Sequence, residues 1–284
     1  MNKKSAWLNI LSLSCGIALI VGSSSCQRKQ EKESADTLSI QETEVEEVVD
    51  TVPEGVKALM TAYPDFIVGF EDGNVVFSDG TTMIYDDGKE KGFEEMLDNS
   101  SLKDMFYTAY EVPESSPAYL NDAGRSRNEA LFKKMYGSSP EAVTKKMVTV
   151  DWFGQRLQFT SVNGGAEQLK KVAAELAEYP ELRKYLKSAG TYYWRNVRGA
   201  NRLSAHSYGI AIDVGVDYSD YWLWKYAGAK EEQKIGYFNR MPRQLAEIFQ
   251  KHGFIWGGAW YHFDTMHFEY RPEILVFAGL YNPQ

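Results

Sequence analysis

Residues 204–214 (SAHSYGIAIDV) place a carboxylate at the end of a short apolar run. Residues 209–214 have the composition of a buried strand, in which alternation puts Ala211 and Asp213 on the same face. A carboxylate that enters an apolar core requires a cation or hydrogen-bond donors. His206, seven residues before the aspartate and across a Tyr-Gly turn, is placed to share such a cation. The stretch therefore predicts a strand that helps to hold a metal ion.

Residues 257–269 (GGAWYHFDTMHFE) contain a second histidine–carboxylate pattern. If His267 lies in a strand, Glu269 shares its face. Asp264 is an odd number of residues away, so it shares that face only if it lies on the turn leading into the strand. A carboxylate held there can take a proton from a water molecule at a metal. Together with the first stretch, two histidines and an aspartate leave an open fourth position, as catalytic zinc sites do.

The two stretches together resemble the VanY-like D-alanyl-D-alanine carboxypeptidase family of zinc peptidases, which also contains L-alanyl-D-glutamate endopeptidases. The resemblance spans roughly Ala166 to Pro272. It rests on the H-x6-D element of His206 and Asp213, the D-x2-H element of Asp264 and His267, Ser204, the Trp256-Gly257-Gly258 run and the His267-Phe268-Glu269 ending.

The resemblance implies a role for each matching residue. His206, Asp213 and His267 are the expected zinc ligands, and Asp264 is the expected general base. Arg195 is expected to hold a substrate carboxylate or to stabilise the oxyanion, although the neighbouring Arg198 and Arg202 are alternatives for this role. Ser204 is expected to contact the substrate; its alternative is a turn serine. Glu269 is expected to orient a ligand imidazole; its alternative is a partner for Arg271.

The function implied by the resemblance is zinc-dependent hydrolysis of peptidoglycan stem peptides, with a D-alanyl-D-alanine carboxypeptidase as the first expectation. One alternative is an L-alanyl-D-glutamate-type endopeptidase of the same family. Another is a non-catalytic, zinc-holding domain that recognises the cell wall, since the Hedgehog signalling domain resembles this group. Asp264 favours the enzyme, because a recognition domain does not require a base beside an open metal position.

The pattern of elements predicts an α+β protein. The expected fold is a Hedgehog/DD-peptidase-like catalytic domain over residues 150–284, preceded by a smaller α+β region over residues 53–149 to which no site residue is assigned. The predicted helices are 56–63, 91–110, 123–136, 166–178 and 242–252, and the predicted strands are 74–77, 82–85, 191–197, 209–214 and 263–270.

Residues 1–26 have the pattern of a bacterial lipoprotein export signal: a basic start, an apolar stretch and small residues before Cys26. Ser23 stands where the usual leucine would be, and simple secretion is the alternative. Residues 27–52 are polar and acidic, which predicts a disordered tether. The chain is therefore expected outside the cytoplasm, anchored to a bacterial membrane through a lipid at Cys26. No cysteine follows Cys26, and the net charge of −8 argues against nucleic acid as a partner.

For three further features, the sequence favours a structural role over a functional one. His252 ends a predicted helix, where a cation suits the helix dipole. His262 lies near enough to the site to touch substrate, but a structural role is expected. The aromatic residues within 218–226 (YSDYWLWKY) are expected in the core or in a lid; the alternative is a groove wall.

Overall fold

The computed structural model describes residues 51–283. The predicted export signal, the lipidation at Cys26 and all but the last two residues of the predicted tether lie outside these residues and stay predictions. Within residues 51–283, no helix combines the length and the apolar character needed to cross a bilayer.

The described residues contain eight α-helices and nine strands. The helices are α1 (Glu54–Ala62), α2 (Phe93–Asp98), α3 (Glu129–Tyr136), α4 (Pro140–Thr144), α5 (Gly165–Leu176), α6 (Trp222–Lys225), α7 (Arg243–Lys251) and α8 (Pro272–Phe277). The strands are β1 (Ile67–Glu71), β2 (Asn74–Phe77), β3 (Thr82–Ile84), β4 (Met147–Trp152), β5 (Gln155–Thr160), β6 (Ser188–Gly190), β7 (Ala211–Val214), β8 (Phe254–Trp256) and β9 (His267–Tyr270). The predicted α+β class is confirmed.

The strands form three sheets, in the orders β1-β2-β3, β4-β5 and β6-β7-β9-β8. All their pairings are antiparallel. The four-stranded sheet carries the residues that the sequence singles out, because its two central strands, β7 and β9, come from the two motif stretches. Asp213 pairs with His267 in the register of these strands, and Ala211 pairs with Glu269. Side chains that are direct partners across two strands lie on the same face, so this register brings the aspartate to the histidine.

One hydrophobic core runs through the described residues. It contains Val56 and Leu59 of α1, Trp152 of β4 and Leu275 of α8, all of them fully buried. Helix α1 packs directly against α8. The core therefore includes residues on both sides of the predicted boundary between residues 149 and 150, and the boundary itself stays a prediction.

The strongly amphipathic segments were predicted well. Helices α1, α5 and α7 lie within two residues of their predicted bounds, and β2 and β3 form the predicted hairpin.

Four predicted elements are wrong or shortened by more than two residues. The segment 191–197 is not a strand: it forms only an isolated bridge, between Asn196 and Leu203, beside which Arg195 O accepts a hydrogen bond from Ser204 N at 3.0 Å. The predicted strand over 263–270 shortens to β9. The predicted helix over 91–110 shortens to α2 and a single 3-10 turn at Lys103–Phe106. The predicted helix over 123–136 begins only at α3. Gly124 has a φ of 91°, which ends any helix there, and Asn128 caps α3 by accepting a hydrogen bond from Leu131 N at 2.9 Å.

Candidate metal centre

His206, Asp213 and His267 converge on one point beside the four-stranded sheet. His206 comes from the 3-10 turn Ala205–Tyr208, and the other two are partners across β7 and β9. His206 Nε2 lies 3.2 Å from His267 Nδ1 and 3.2 Å from Asp213 Oδ2, and His267 Nδ1 lies 2.9 Å from Asp213 Oδ1. Each of the three offers one ligand atom to a cation at their centre.

The hydrogen bonds behind the two histidines test whether a metal fits. His206 Nδ1 donates to Thr191 O at 2.8 Å, and His267 Nε2 donates to Glu269 Oε1 at 2.9 Å. In the neutral rings, the two inner nitrogens then carry lone pairs and cannot hydrogen-bond to each other. A cation between them resolves this contact, and two nitrogens bound to one tetrahedral zinc lie about 3.3 Å apart. The donor set therefore fits a zinc ion.

The electrostatics of this group also favour a positive charge at its centre. Burial disfavours the charged form of Asp213, but His206 and His267 outweigh it and hold the pKa of this carboxyl well below its usual range. Burial lowers the pKa of His267, but its hydrogen bonds to Asp213 and Glu269 prevail and raise that pKa to about 10. The surroundings of His267 thus stabilise a proton there, and a metal ion would replace it.

Asp264 lies on the turn that leads into β9. Its carbonyl accepts a hydrogen bond from His267 N at 3.1 Å, so the turn fixes the aspartate beside the ligand histidine. Burial raises the pKa of Asp264 to about 7; His267 opposes this rise and Asp213 adds to it. Its Oδ1 atom is buried and has no hydrogen-bond partner among the described residues. No described residue therefore donates a hydrogen bond to this oxygen, and burial favours the protonated form of the carboxyl group.

A glycine holds the Asp264 turn in place. Asp264 N donates to Gly257 O at 2.9 Å. A Cβ atom at residue 257 would lie only 2.6 Å from Asp264 O, so this close approach of two backbone segments requires glycine.

Arg195 and Ser204 lie on two segments near the potential metal ligands, and these segments are joined by the hydrogen bond from Ser204 N to Arg195 O. Ser204 is buried, and its hydroxyl accepts a hydrogen bond from His206 N at 3.4 Å. Arg195 is exposed, and its backbone is fixed by Ser207, whose hydroxyl donates to Arg195 O at 2.7 Å and accepts from Arg195 N at 2.9 Å. Both residues line the cavity beside the metal ligands.

This cavity has a volume of about 540 Å³ and brings together residues from distant parts of the chain. Besides the potential metal ligands and Asp264, it is lined by Arg125 and Arg127, which precede α3. No site residue was predicted in this region. The available signal was Gly124, the second residue of the predicted helix 123–136, because a glycine near a helix end marks a break.

A second group of potential ligands, Asp122, Glu231 and His262, adjoins the cavity. Arg125 already forms ion pairs with both of its carboxylates: the guanidinium donates to Asp122 Oδ2 at 2.6 Å and to both carboxylate oxygens of Glu231 at 2.9 Å. His262 Nδ1 lies 2.5 Å from Asp122 Oδ2, and Nε2 lies 2.7 Å from Glu231 O. Both ring nitrogens of His262 are therefore engaged, and the Arg125 guanidinium already serves as the cation of this cluster.

The other candidates from the sequence, His252 and the aromatic segment 218–226, differ in whether they line the cavity. His252 does not line the cavity; its Nε2 lies 2.9 Å from Glu175 Oε2 on α5. The aromatic segment 218–226 divides between roles: Trp222 is buried with its ring edge against His262, whereas Trp224 is 52% exposed at the cavity.

Two histidines and two aspartates, from the four-stranded sheet and the turns beside it, thus line one cavity, and three of them could hold a metal ion. Residues 198–270 match a family model described as D-alanyl-D-alanine carboxypeptidase. This segment contains all three potential ligands and Asp264. The resemblance to the VanY-like family predicted from the sequence is thereby confirmed, and the match supports a peptidase. No curated protein and no solved structure matches the chain.

Proposed function

We propose that the protein is a zinc-dependent D-alanyl-D-alanine carboxypeptidase that trims peptidoglycan stem peptides, with a catalytic domain of the Hedgehog/DD-peptidase type. The observation that carries this proposal is the pairing of Asp213 with His267 across β7 and β9, with His206 and Asp264 beside them. The match of residues 198–270 to the carboxypeptidase family supports the same function.

In the proposed reaction, His206, Asp213 and His267 would hold a zinc ion. Zinc in such a site lowers the pKa of water and polarises the scissile carbonyl. The Asp264 carboxylate takes a proton from the attacking water and returns it to the leaving amine. Arg195 holds the substrate carboxylate or the developing oxyanion, and the hydroxyl of Ser204 contacts the substrate.

We further propose that the protein works outside the cytoplasm, anchored to a bacterial membrane by a lipid on Cys26. The support is the sequence pattern of residues 1–26 and the acidic segment 27–52, which would hold the folded part away from the membrane surface. Labelling of the expressed full-length chain with a fatty-acid probe, compared with Cys26→Ala, tests the anchor.

The function is tested with residues 51–284 and defined muropeptides, with products identified by mass spectrometry. We expect loss of one terminal alanine, abolished by a chelator and restored by zinc. Release of a longer fragment would identify an endopeptidase instead. Zinc binding without any cleavage would favour the recognition domain.

Asp264→Asn separates catalysis from metal binding in the same assay. We expect kcat to fall by about 10²- to 10⁴-fold, because the variant cannot accept the proton, while the zinc content stays that of the wild type. Asp217→Asn is the matched control, because Asp217 is exposed and does not line the cavity. Unchanged kcat in Asp264→Asn would contradict the proposed role of Asp264.

A further inference from the structure

Five arginines line the cavity beside the potential metal ligands, and they differ in their burial and in their carboxylate partners. The five are Arg125, Arg127, Arg195, Arg198 and Arg202. Arg195 and Arg198 are exposed. Arg125 is buried but forms ion pairs with two carboxylates, those of Asp122 and Glu231. Arg127 and Arg202 differ from the other three, because they are buried and only partly paired.

The side chain of Arg127 is 8% exposed and that of Arg202 is 7% exposed. In each, the hydrogen bonds to described residues come from Nη1 alone. Arg127 Nη1 donates to Glu269 Oε1 at 3.1 Å and to Gly124 O at 3.4 Å, and Arg202 Nη1 donates to Asp98. The Nε atom of each is buried with no partner among the described residues. A buried donor without a partner is unfavourable, so a site of this kind favours a ligand that supplies an acceptor.

The charge balance around these two arginines agrees with their hydrogen bonding. Burial lowers the pKa of Arg127 to about 10; Glu269 opposes this, while Arg271 and Arg202 lower it further. Burial, and then Arg125, lowers the pKa of Arg202. Arg125 shows the opposite shift, since its two carboxylates outweigh its burial and raise its pKa. The wall formed by Arg127 and Arg202 thus carries positive charge that the protein does not fully compensate.

The position of this wall is fixed relative to the metal ligands. Arg127 and the ligand His267 both bond to the same oxygen of Glu269. Arg202 lies two residues before Ser204 and four before the ligand His206. An anionic group held by the two arginines would therefore lie within reach of the site of hydrolysis.

We propose that Arg127 and Arg202 form a carboxylate-binding subsite for the substrate, additional to the position assigned to Arg195. A carboxylate accepts charge-assisted hydrogen bonds from a guanidinium, and the Nη2 group of neither arginine has a partner among the described residues. As regards the substrate, this inference rests on the proposed function. Arg127 lies outside the matched segment 198–270, so the region before α3 would contribute to substrate selection.

The test uses the stem pentapeptide L-Ala–γ-D-Glu–L-Lys–D-Ala–D-Ala, which carries a carboxylate on D-Glu and another at the C-terminus. Three forms are compared: the free acid, the form amidated at D-Glu and the form amidated at the C-terminus. Binding is measured by calorimetry with the zinc-loaded Asp264→Asn protein, so that no peptide is cut. We expect one of the two amides to bind about tenfold or more weakly than the free acid, and its identity shows which carboxylate the subsite holds.

Arginine variants in the same Asp264→Asn background connect this preference to the subsite. We expect Arg127→Gln and Arg202→Gln to bind the free acid and that amide equally. Arg127→Lys and Arg202→Lys keep the ion pairs with Glu269 and Asp98 and should lose only part of the preference, which protects the test against misfolding of the glutamine variants. Arg156→Gln is the matched control, because it removes one exposed charge outside the cavity.

Two results would overturn the inference. One is an Asp264→Asn protein that does not prefer the free acid over either amide. The other is that the lysine and glutamine variants still prefer the free acid over the amide as strongly as the Asp264→Asn protein does, while their melting temperatures equal that of the Asp264→Asn protein. Hydrolysis is assayed separately with Asp264 intact. A chain that shows the arginine-dependent preference but cuts no peptide would refute the proposed function and leave the subsite standing.

Discussion

At the scale of single residues, Glu269 joins the potential metal centre to the rest of the protein. Its Oε1 atom accepts hydrogen bonds from His267 at 2.9 Å and from Arg127 at 3.1 Å, and its Oε2 atom accepts one from Arg271 at 3.2 Å. The two alternatives weighed for Glu269, a partner of the ligand imidazole and a partner of Arg271, therefore occur together. Burial opposes the charged form, but Arg127, His267 and Arg271 hold the pKa of Glu269 well below its usual range. The residue is thus a buried carboxylate that keeps its charge.

We expect Glu269→Gln to weaken zinc binding by about 10- to 100-fold, because the amide still accepts the imidazole hydrogen but no longer supplies a negative charge behind His267. Competition with a chromophoric chelator measures the affinity. Glu247→Gln, an exposed change on α7, is the control. Wild-type zinc affinity in a folded Glu269→Gln protein would show that His267 is oriented without the charge.

At the scale of elements, the loop before α3 connects the cavity to the segment that follows α6. Asp122 in this loop is fully buried and accepts hydrogen bonds from Arg125, from the His262 ring and from His262 N. Glu231, beyond α6, forms ion pairs with the same arginine. Asp122 therefore holds together two segments that border the cavity but lie far apart in the sequence.

Replacement of Asp122 by alanine is expected to lower the free energy of unfolding by about 3–5 kcal/mol, because the buried Arg125 loses a partner. The loss should depend on pH. Burial opposes ionisation of Asp122, but Arg125 and His262 lower its pKa below the usual 3.8. Its stabilising contribution is therefore complete above about pH 4 and is lost as the pH falls through the lowered value.

Denaturant unfolding of the wild type and of Asp122→Asn across this pH range measures the effect. The difference between the two proteins should be largest near neutral pH and should shrink in acid, whereas Asp151→Asn, an exposed change on β4, should show little difference at any pH. A difference between the wild type and Asp122→Asn that grows in acid would contradict the assigned role.

The same elements show what the sequence predicts and what it does not. Helices α5 and α7 were predicted because each buries one regular apolar stripe, a local pattern. The potential ligands were predicted because their spacing matches a family. Arg127 was not predicted, since its place in the cavity depends on contacts with Glu269, 142 residues later, that no local pattern records. The predicted strand over 191–197 is wrong for a similar reason: its aromatic residues resemble a strand, but the segment forms only an isolated bridge to Leu203 and hydrogen bonds to Ser204 and Ser207, which lie outside any strand.

At the largest scale, the first and last helices of residues 51–283, α1 and α8, are linked by buried polar contacts. Tyr63, just after α1, donates a hydrogen bond to Glu273 Oε2 on α8 at 2.5 Å. Arg271 donates from Nε to Glu273 Oε1 at 2.5 Å and from Nη1 to Gly124 O at 2.6 Å. Tyr63, Arg271 and Glu273 are all fully buried. Residues before position 150 therefore supply partners that charged groups after position 150 require.

We expect residues 150–284 alone not to fold cooperatively, although they contain all the proposed zinc ligands. Removal of residues 51–149 exposes the face of α8 that packs on α1 and leaves Arg271 and Glu269 without the contacts from Gly124 and Arg127. An unpaired buried charge costs several kcal/mol, which is comparable to the whole stability of a domain. Calorimetric melting of 150–284 should show no sharp transition, whereas 51–284 should show one. A sharp transition in 150–284, with zinc bound as tightly as in 51–284, would instead establish it as an independent catalytic domain.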